Sequence, residues 1–247
     1  MVCAKLLENY SKVNIAIIPA RGGSKRIPRK NIRLFCGRTM IARPIEAAKL
    51  AGIFDAIVVS TDDDEIAAVA EACGATVPFR RPAELSNDHV PTLPVIAHAI
   101  RWWEEHRAPV AFACCIYATA PFLQPRYLSE GLSVLQAHAD ADFAFSVTSY
   151  AFPIFRALLR TPEGQMKMFW PENESKRSQD LPEAWHDAGQ FYWGRKDAFL
   201  NRGVFSSRAY PVILPRHLVQ DIDTPEDWER AERMFEALYK SDSGEHV

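Results

Sequence analysis

Five basic side chains lie close together near the start of the chain, in a segment without any acidic residue. The segment reads RGGSKRIPRKN, from Arg21 to Asn31. Gly22 and Gly23 let the backbone approach a ligand closely, and exposed N–H groups in such a turn can bind phosphate oxygens. The pattern therefore favours a phosphate-binding loop whose cations balance the charge of a nucleoside triphosphate. The five cations are Arg21, Lys25, Arg26, Arg29 and Lys30.

The same loop has two simpler interpretations, a solvated basic segment and a nucleic-acid patch. The chain carries 29 basic and 31 acidic side chains, for a net charge of −2, so it has no general affinity for polyanions. No aromatic residues alternate with the cations, as they do on single-strand-binding surfaces. The spacing also differs from that of a Walker A loop. We therefore expect no nucleic-acid partner.

Two acids near the other end of the chain, Asp221 and Asp223, could hold a metal. Residues two apart on an extended segment point to the same side, and Mg²⁺ prefers oxygen ligands. The alternative is that Asp223 only stabilises a helix N-terminus. Thr224 and Asp227 fit the cap and the third helical position of such a helix.

Short apolar runs alternate with helical segments over the first 140 residues. This order predicts an α/β fold with a mainly parallel, Rossmann-like sheet that is covered on both faces. Ligands of such sheets bind at the carboxyl ends of the strands, here after Pro19, Ser60 and Tyr117. We predict strands at 14–19, 54–60, 76–79 and 111–117, and helices at 41–51, 62–73, 95–106 and 126–137.

The pattern changes after residue 142. Further strands are predicted at 143–150, 154–159 and 190–193, so a single domain spanning 1–247 would carry a β-rich insertion at about 142–190. This insertion could pack against a second subunit. A last strand at 211–214 leads into the helix that Thr224 caps.

The five cysteines do not form a disulfide or metal pattern. Their number is odd and none has C-x-x-C spacing, which favours a reducing compartment. Cys114 and Cys115 lie in an apolar run and are expected to be buried. No signal peptide and no membrane-spanning stretch is evident. We expect a cytoplasmic protein without a membrane partner.

Four motifs, in order, resemble those of the acylneuraminate cytidylyltransferases. They are IIPARGGSKRIPRKN at 17–31, IVVSTD at 57–62, RPAEL at 81–85 and DIDT at 221–224. The resemblance extends from about residue 15 to about residue 228. It implies the nucleotide-diphospho-sugar transferase fold, a dimerising insertion, Mg²⁺, and transfer of CMP from CTP to an acidic nine-carbon sugar.

The resemblance assigns roles to residues at matching positions. The CTP phosphates would be held by Arg21, Gly22, Lys25 and Lys30 with Asn31 nearby, and the cytosine and ribose would face Arg81, Asp88 and Thr92. Mg²⁺ would be held by Asp221 and Asp223. The expected catalytic residues are Arg21, Lys25, Asp221 and Asp223.

The sugar-facing motifs depart from those of sialic-acid enzymes. The QPTSP-like run is replaced by YATAP at 117–121, and RSQDLP at 177–182 is followed by HDAGQ at 186–190 instead of an Asn-Gly pair. These features resemble the pseudaminic-acid branch. Arg177 could grip the sugar carboxylate or could be an exposed loop arginine. The sugar-binding candidates are Tyr117, Thr119, Arg177, Gln179, His186, Asp187 and Gln190.

Other functions remain open from the sequence. The acceptor could be sialic, legionaminic or 3-deoxy-octulosonic acid, and a non-catalytic nucleotide sensor could share the fold. The group that removes the hydroxyl proton is not evident, and metal-bound water is as suitable as a side chain. The resemblance to the pseudaminic-acid branch also implies that the product serves flagellin glycosylation.

Overall fold

A computed structural model describes residues 11–239. Strands and helices alternate along most of this length, with a short hairpin inserted in the second half. In chain order the elements are β1 Val13–Pro19, β2 Leu34–Phe35, β3 Arg38–Thr39, α1 Ala42–Ala51, β4 Ala56–Ser60, α2 Asp64–Ala72, α3 Thr92–His106, β5 Val110–Ile116, α4 Pro125–Ala137, β6 Phe143–Ser149, β7 Leu158–Arg160, β8 Met166–Met168, β9 Trp185–Arg195, α5 Lys196–Asn201, β10 Ala209–Ile213 and α6 Pro225–Tyr239.

Six strands form the central sheet in the order β10-β6-β9-β5-β1-β4. Strand β1 pairs in parallel with β4 and β5, and β10 pairs in parallel with β6. Strand β9 is antiparallel to both of its neighbours, β5 and β6. The predicted mainly parallel sheet is confirmed, with one antiparallel strand inserted at its centre.

Alternation along β1 sends its side chains into two separate cores. Ile15 and Ile17 pack with residues of α3 and α5 on one face, whereas Ala16 and Ile18 pack with α1, α2, α4 and α6 on the other. This follows from the two-residue period of a strand. All four side chains are fully buried, so β1 reads as a continuous apolar run, as parallel strands covered on both faces do.

The helix boundaries follow local chemistry. Helix α1 begins at Ala42, so Pro44 lies in the first turn, where an N–H has no partner within the helix. The helix ends at Gly52, which adopts a left-handed conformation with φ of 64°. Before α6, the Thr224 N–H donates to the Asp227 carboxylate at 2.8 Å and the Asp227 N–H donates to Thr224 Oγ1 at 3.2 Å. The predicted capping box is confirmed.

Three predicted elements differ from the structure. The segment 76–79 forms no strand: Thr76 makes an isolated bridge to Val58, and the next bridge, from Arg80 to Thr61, lies just beyond the segment. The segment 154–159 divides into a 3₁₀ turn at Ile154–Arg156 and strand β7. The strand predicted at 190–193 extends over the eleven residues of β9.

The segment that stands apart from the main sheet is shorter than the predicted insertion. Strands β6 and β9 both belong to the central sheet, so the predicted bounds of about 142–190 fall inside it. The intervening residues 150–184, here called the arm, carry the separate hairpin of β7 and β8.

Among the described residues, no helix is long and apolar enough to cross a membrane. Cys114 and Cys115 are buried, as predicted.

Candidate functional site

A cleft of about 290 Å³ opens at the carboxyl ends of β1 and β5. The basic loop, residues 21–31, follows β1 directly and forms one wall. The segment between Arg81 and α3 forms the opposite wall. Residues predicted for the site that line this cleft are Arg21, Lys30, Asn31, Arg81, Asp88, Thr92, Tyr117, Thr119 and Asp223.

Two cations of the basic loop contact one carboxylate across the cleft. Arg21 Nη1 lies 2.5 Å from Asp88 Oδ1, and Lys25 Nζ lies 2.5 Å from Asp88 Oδ2. These two hydrogen-bonded cations hold the pKa of Asp88 below its usual range. In this structure Asp88 therefore contacts the proposed phosphate ligands, whereas the sequence placed it on the cytosine and ribose side.

Gly22 and Asn31 organise the backbone of the basic loop. The Gly22 N–H donates to Asp62 Oδ1 at 3.0 Å, and a Cβ at this position would lie 2.6 Å from a carboxylate oxygen of Asp63. Asn31 is buried and its side-chain amide donates to the Arg21 carbonyl at 2.9 Å. Gly22 is needed for close approach to the Asp62–Asp63 turn, and Asn31 fixes the start of the loop.

The second half of the loop reaches the acids near the end of the chain. Lys30 Nζ donates to the Ile222 carbonyl at 2.6 Å and lies 3.4 Å from Asp223 Oδ1. Arg26 Nη2 lies 2.9 Å from the same Asp223 oxygen. Two cations thus neutralise Asp223, and the contacts bring together residues almost two hundred positions apart.

Asp221 has a different environment from Asp223. Its pKa is raised because burial penalises the charged form and because the negative charge of Asp223 is near. A divalent cation between the two carboxylates would relieve this repulsion, and hard oxygen donors are the ligands Mg²⁺ prefers. Two carboxylates suffice, since Mg²⁺ commonly takes its remaining ligands from phosphate and water. The donor set therefore fits the predicted Mg²⁺.

Arg81 is a buried cation aimed into the cleft. Its side chain is 4% exposed, and within residues 11–239 its Nε and Nη2 have no hydrogen-bond partner. The nearest acid is Asp62, whose Oδ1 lies 3.6 Å from Nη2, beyond hydrogen-bond distance. Burial lowers the pKa of the guanidinium. Such a group calls for a ligand that offers hydrogen-bond acceptors.

A second cavity, of about 440 Å³, adjoins the first and shares Thr92 and Tyr117 with it. The Tyr117 hydroxyl lies 3.3 Å from Thr92 Oγ1. Apart from these hydroxyls, its main polar groups are Asp187 and the Tyr192 hydroxyl. Its remaining lining residues, mostly apolar, are Pro91, Leu93, Cys115, Phe199, Gly203, Val204 and Phe205.

Asp187 is held firmly at the wall of the second cavity. It accepts hydrogen bonds from the Tyr192 hydroxyl and, at 2.8 Å, from the Gly189 N–H. Burial, together with the nearby Tyr117 and Asp187, raises the pKa of Tyr192. The neighbouring His186 points elsewhere: its Nδ1 lies 2.8 Å from the Asp187 carbonyl and its ring packs against Tyr150.

Four predicted sugar ligands lie outside both cavities: His186, described above, and three others. Gln190 is buried, and its amide donates to the Leu218 carbonyl at 2.5 Å, which ties it to the 3₁₀ turn that follows β10. Arg177 lies on the arm with 73% of its side chain exposed and forms a two-point ion pair with Asp180. Gln179 is an exposed residue of the same turn. Within one subunit, these residues are not part of the cleft.

The structure adds residues to which the sequence analysis assigned no individual role in the site. Asp62 contacts both the Gly22 N–H and Arg81, and its position directly after β4 was a usable signal. Arg26 reaches Asp223. The apolar wall of the second cavity, formed by Leu93, Val204 and Phe205, carried no recognisable pattern because its members are distant in sequence.

Relatives of known name share most of this chain. It is 42% identical over 229 residues to a pseudaminic acid cytidylyltransferase of Campylobacter jejuni (serotype O:23/36, strain 81-176), covering 92% of this chain and 98% of the relative. It is 29% identical over 230 residues to a CMP-N,N'-diacetyllegionaminic acid synthase of Legionella pneumophila, covering 90% of this chain and 96% of that one.

Solved structures share the fold. A CMP:2-keto-3-deoxy-manno-octonic acid synthetase complexed with CTP superposes with a TM-score of 0.67 at 18% identity, covering 92% of this chain and all of that one. A 4-diphosphocytidyl-2C-methyl-D-erythritol synthase superposes with a TM-score of 0.62 at 14% identity, covering 91% of this chain and 99% of that one. The family model described as cytidylyltransferase matches residues 15–241. The chain therefore belongs to the cytidylyltransferase family.

Proposed function

We propose that the protein transfers CMP from CTP to the anomeric hydroxyl of pseudaminic acid and releases pyrophosphate. The observation that carries this proposal is the meeting, in one cleft, of the basic loop, the buried Arg81 and Asp223, with a mostly apolar cavity beside it. The 42% identity to a pseudaminic acid cytidylyltransferase supports the choice of sugar.

The chemistry requires positioning and charge neutralisation more than covalent help from the protein. The anomeric oxygen of the sugar forms a bond to the α-phosphorus of CTP, and the bond from that phosphorus to the pyrophosphate oxygen breaks. Arg21, Lys25 and Lys30 would stabilise the charge that develops on the departing pyrophosphate. Arg81 would donate to acceptors of the nucleoside, and Thr92 would lie beside it.

Asp221 and Asp223 are the residues that would hold Mg²⁺. When bound, this ion would neutralise charge on the phosphate oxygens. Asp223, whose carboxylate contacts Arg26, would supply an oxygen ligand, and Arg26 lines the same cleft as a further cation for the phosphates. Lys30 keeps the Asp221–Asp223 segment against the basic loop through its bond to the Ile222 carbonyl.

The second cavity is the proposed place for the sugar. Tyr117 borders both cavities, so a sugar lying there would present its reactive hydroxyl toward the nucleotide. Asp187 offers a fixed acceptor, and Thr119 lines the first cleft, where the nucleotide would lie. His186 would act indirectly, through the contact of its ring with the Asp187 carbonyl, and Gln190 through its bond to the Leu218 carbonyl. The hydroxyl proton would pass to a side chain or to bound water.

We further propose that the protein is a homodimer joined through the arm. Large apolar side chains on and beside the arm are exposed, Phe152 to 83% and Met166 to 61%. Burying such a surface against a second copy would stabilise a dimer. Arg177 and Gln179 could then reach a sugar bound by the partner subunit. A cytoplasmic location and the use of the product in flagellin glycosylation remain predictions.

The proposal is tested by pyrophosphate release from CTP with Mg²⁺, in a panel of pseudaminic, legionaminic, N-acetylneuraminic and 3-deoxy-octulosonic acids. We expect release with pseudaminic acid and much slower release with the others. Release with another sugar would keep the enzyme class and overturn the assigned substrate. Binding of CTP without release on any sugar would instead favour a nucleotide sensor.

A further inference from the structure

Asp88 forms ion pairs with two cations of the basic loop at once. One carboxylate bridges Arg21 and Lys25, with a separate oxygen bound to each cation at 2.5 Å. Asp88 comes from the segment before α3, whereas the two cations come from the loop after β1. The carboxylate therefore lies where two cations converge, which is the arrangement that a phosphate group would otherwise occupy.

The environment of this contact does not suit a purely structural ion pair. The side chain of Lys25 is 81% exposed and that of Asp88 is 34% exposed, so water and salt screen the interaction. Exposed ion pairs of this kind stabilise a fold by only about 0–1 kcal/mol. All three side chains nevertheless converge beside the cleft, which Arg21 and Asp88 line. The contact is therefore weak enough for a more highly charged anion to break.

We propose that Asp88 takes the place of the nucleotide triphosphate in the empty enzyme and is displaced when CTP binds. Asp88 is then a positioning residue: it holds Arg21 and Lys25 at the edge of the cleft until the substrate replaces it. This inference rests on the proposed use of CTP. It assigns Asp88 to the phosphates, in place of the cytosine and ribose.

The proposed exchange also gives the site a selectivity. An anion with a single phosphate group must break the two ion pairs of Asp88 before it can form two ion pairs of its own with Arg21 and Lys25. Its net gain in binding free energy is therefore small. A triphosphate offers more charge and further contacts to Lys30 and Arg26, so it displaces Asp88 readily. Asp88 would thereby exclude inorganic phosphate while it admits CTP.

The test compares Asp88→Asn with the unchanged protein by calorimetric titration of CTP, tripolyphosphate, cytidine and inorganic phosphate. We expect Asp88→Asn to bind CTP and tripolyphosphate about two- to tenfold more tightly, as the loss of two exposed competing ion pairs predicts. Cytidine carries no phosphate, and its affinity should not change. Inorganic phosphate should bind Asp88→Asn measurably better than the unchanged protein.

Glu84→Gln is the matched control, because it removes one negative charge from the same segment without contact to Arg21 or Lys25. It should leave all four affinities unchanged. If CTP bound equally more tightly to both variants, the loss of any negative charge in this segment would explain the effect, and the proposal would be overturned. Weaker or unchanged CTP binding by Asp88→Asn would also overturn it, as would a change confined to cytidine.

Steady-state kinetics separates this role from a structural one. For Asp88→Asn we expect the KM for CTP to fall while the melting temperature stays the same; a lower melting temperature with an unchanged KM would show a structural contact. If the unchanged protein binds no CTP, the proposed function itself fails. Normal CTP binding without a phosphate-specific effect of Asp88→Asn removes only this inference.

Discussion

Replacing Arg81 by Met distinguishes the effect of this buried cation on folding stability from its role in CTP binding. The Arg81 side chain is 4% exposed, two of its nitrogens lack a hydrogen-bond partner in the described part of the chain, and Asp62 Oδ1 lies 3.6 Å from Nη2. Met has similar length and no charge, so it fills the space without polar demands. We expect Arg81→Met to leave the fold as stable as before or more stable, while CTP binding is strongly weakened.

The magnitude follows from the contacts. Each buried polar group without a hydrogen bond costs about 1–3 kcal/mol of folding free energy. The ion pair between Arg81 and Asp62 offsets about 0–1 kcal/mol of this cost. Asp62 is not left unpaired, because it accepts the Gly22 N–H. The unfolding free energy should therefore change by about 0 to +2 kcal/mol. Loss of charge-assisted hydrogen bonds worth about 1.5–3 kcal/mol weakens CTP binding about 10- to 100-fold.

Urea unfolding and calorimetric titration of CTP measure the two quantities. Arg80→Met is the matched control: Arg80 is the adjacent residue, is 49% exposed and pairs with Asp64 on the surface. It should change neither stability nor CTP affinity appreciably. The reasoning would be refuted if Arg81→Met lost more than about 2 kcal/mol of stability while its CTP affinity stayed normal, since Arg81 would then be a structural residue.

Four further predictions concern the acids, the loop and the arm. Asp223→Asn should abolish pyrophosphate release with an unchanged circular dichroism spectrum; near-normal turnover would remove the metal assignment. Lys25→Ala should weaken CTP binding more than about tenfold in calorimetry, the loss of one charge-assisted contact, and unchanged affinity would count against the phosphate site. The pKa of Asp221 is raised, so its ionisation opposes folding, and this cost appears as pH rises through the window above the usual aspartate pKa. Asp221→Asn should accordingly melt higher than the unchanged protein at pH 7, with the difference shrinking in acid; equal melting temperatures at pH 7 would contradict the assigned shift. Phe152→Asp should yield a monomer by light scattering with little change in monomer stability, and a persistent dimer would exclude the arm as the contact.

Much of the fold could be predicted because local signals agreed with the global structure. The run from residue 14 to Pro19 is apolar on both faces, which only a covered parallel strand satisfies. Gly52 and the Thr224–Asp227 pair marked helix ends through backbone chemistry that acts within a few residues. The basic loop was recognisable because its charges and glycines are contiguous in the chain.

The remainder depended on contacts between distant segments. Nothing in the local pattern of 185–195 indicates that β9 inserts between β5 and β6 in the opposite direction. The contact of Asp88 with Arg21 and Lys25 joins segments more than sixty residues apart, which the motif positions alone did not reveal. Gln190 looked polar and available, yet its amide is committed to the Leu218 carbonyl inside the fold.

The hydrogen bond from Lys30 to the Ile222 carbonyl has a consequence during synthesis of the protein on the ribosome. The two residues are 192 positions apart, so at about 5–20 residues per second the ribosome needs about 10–40 s to make the second after the first. During that time the basic loop lacks the segment that closes its cleft. A nascent chain can therefore fold its first strands and helices while it remains unable to transfer a nucleotide.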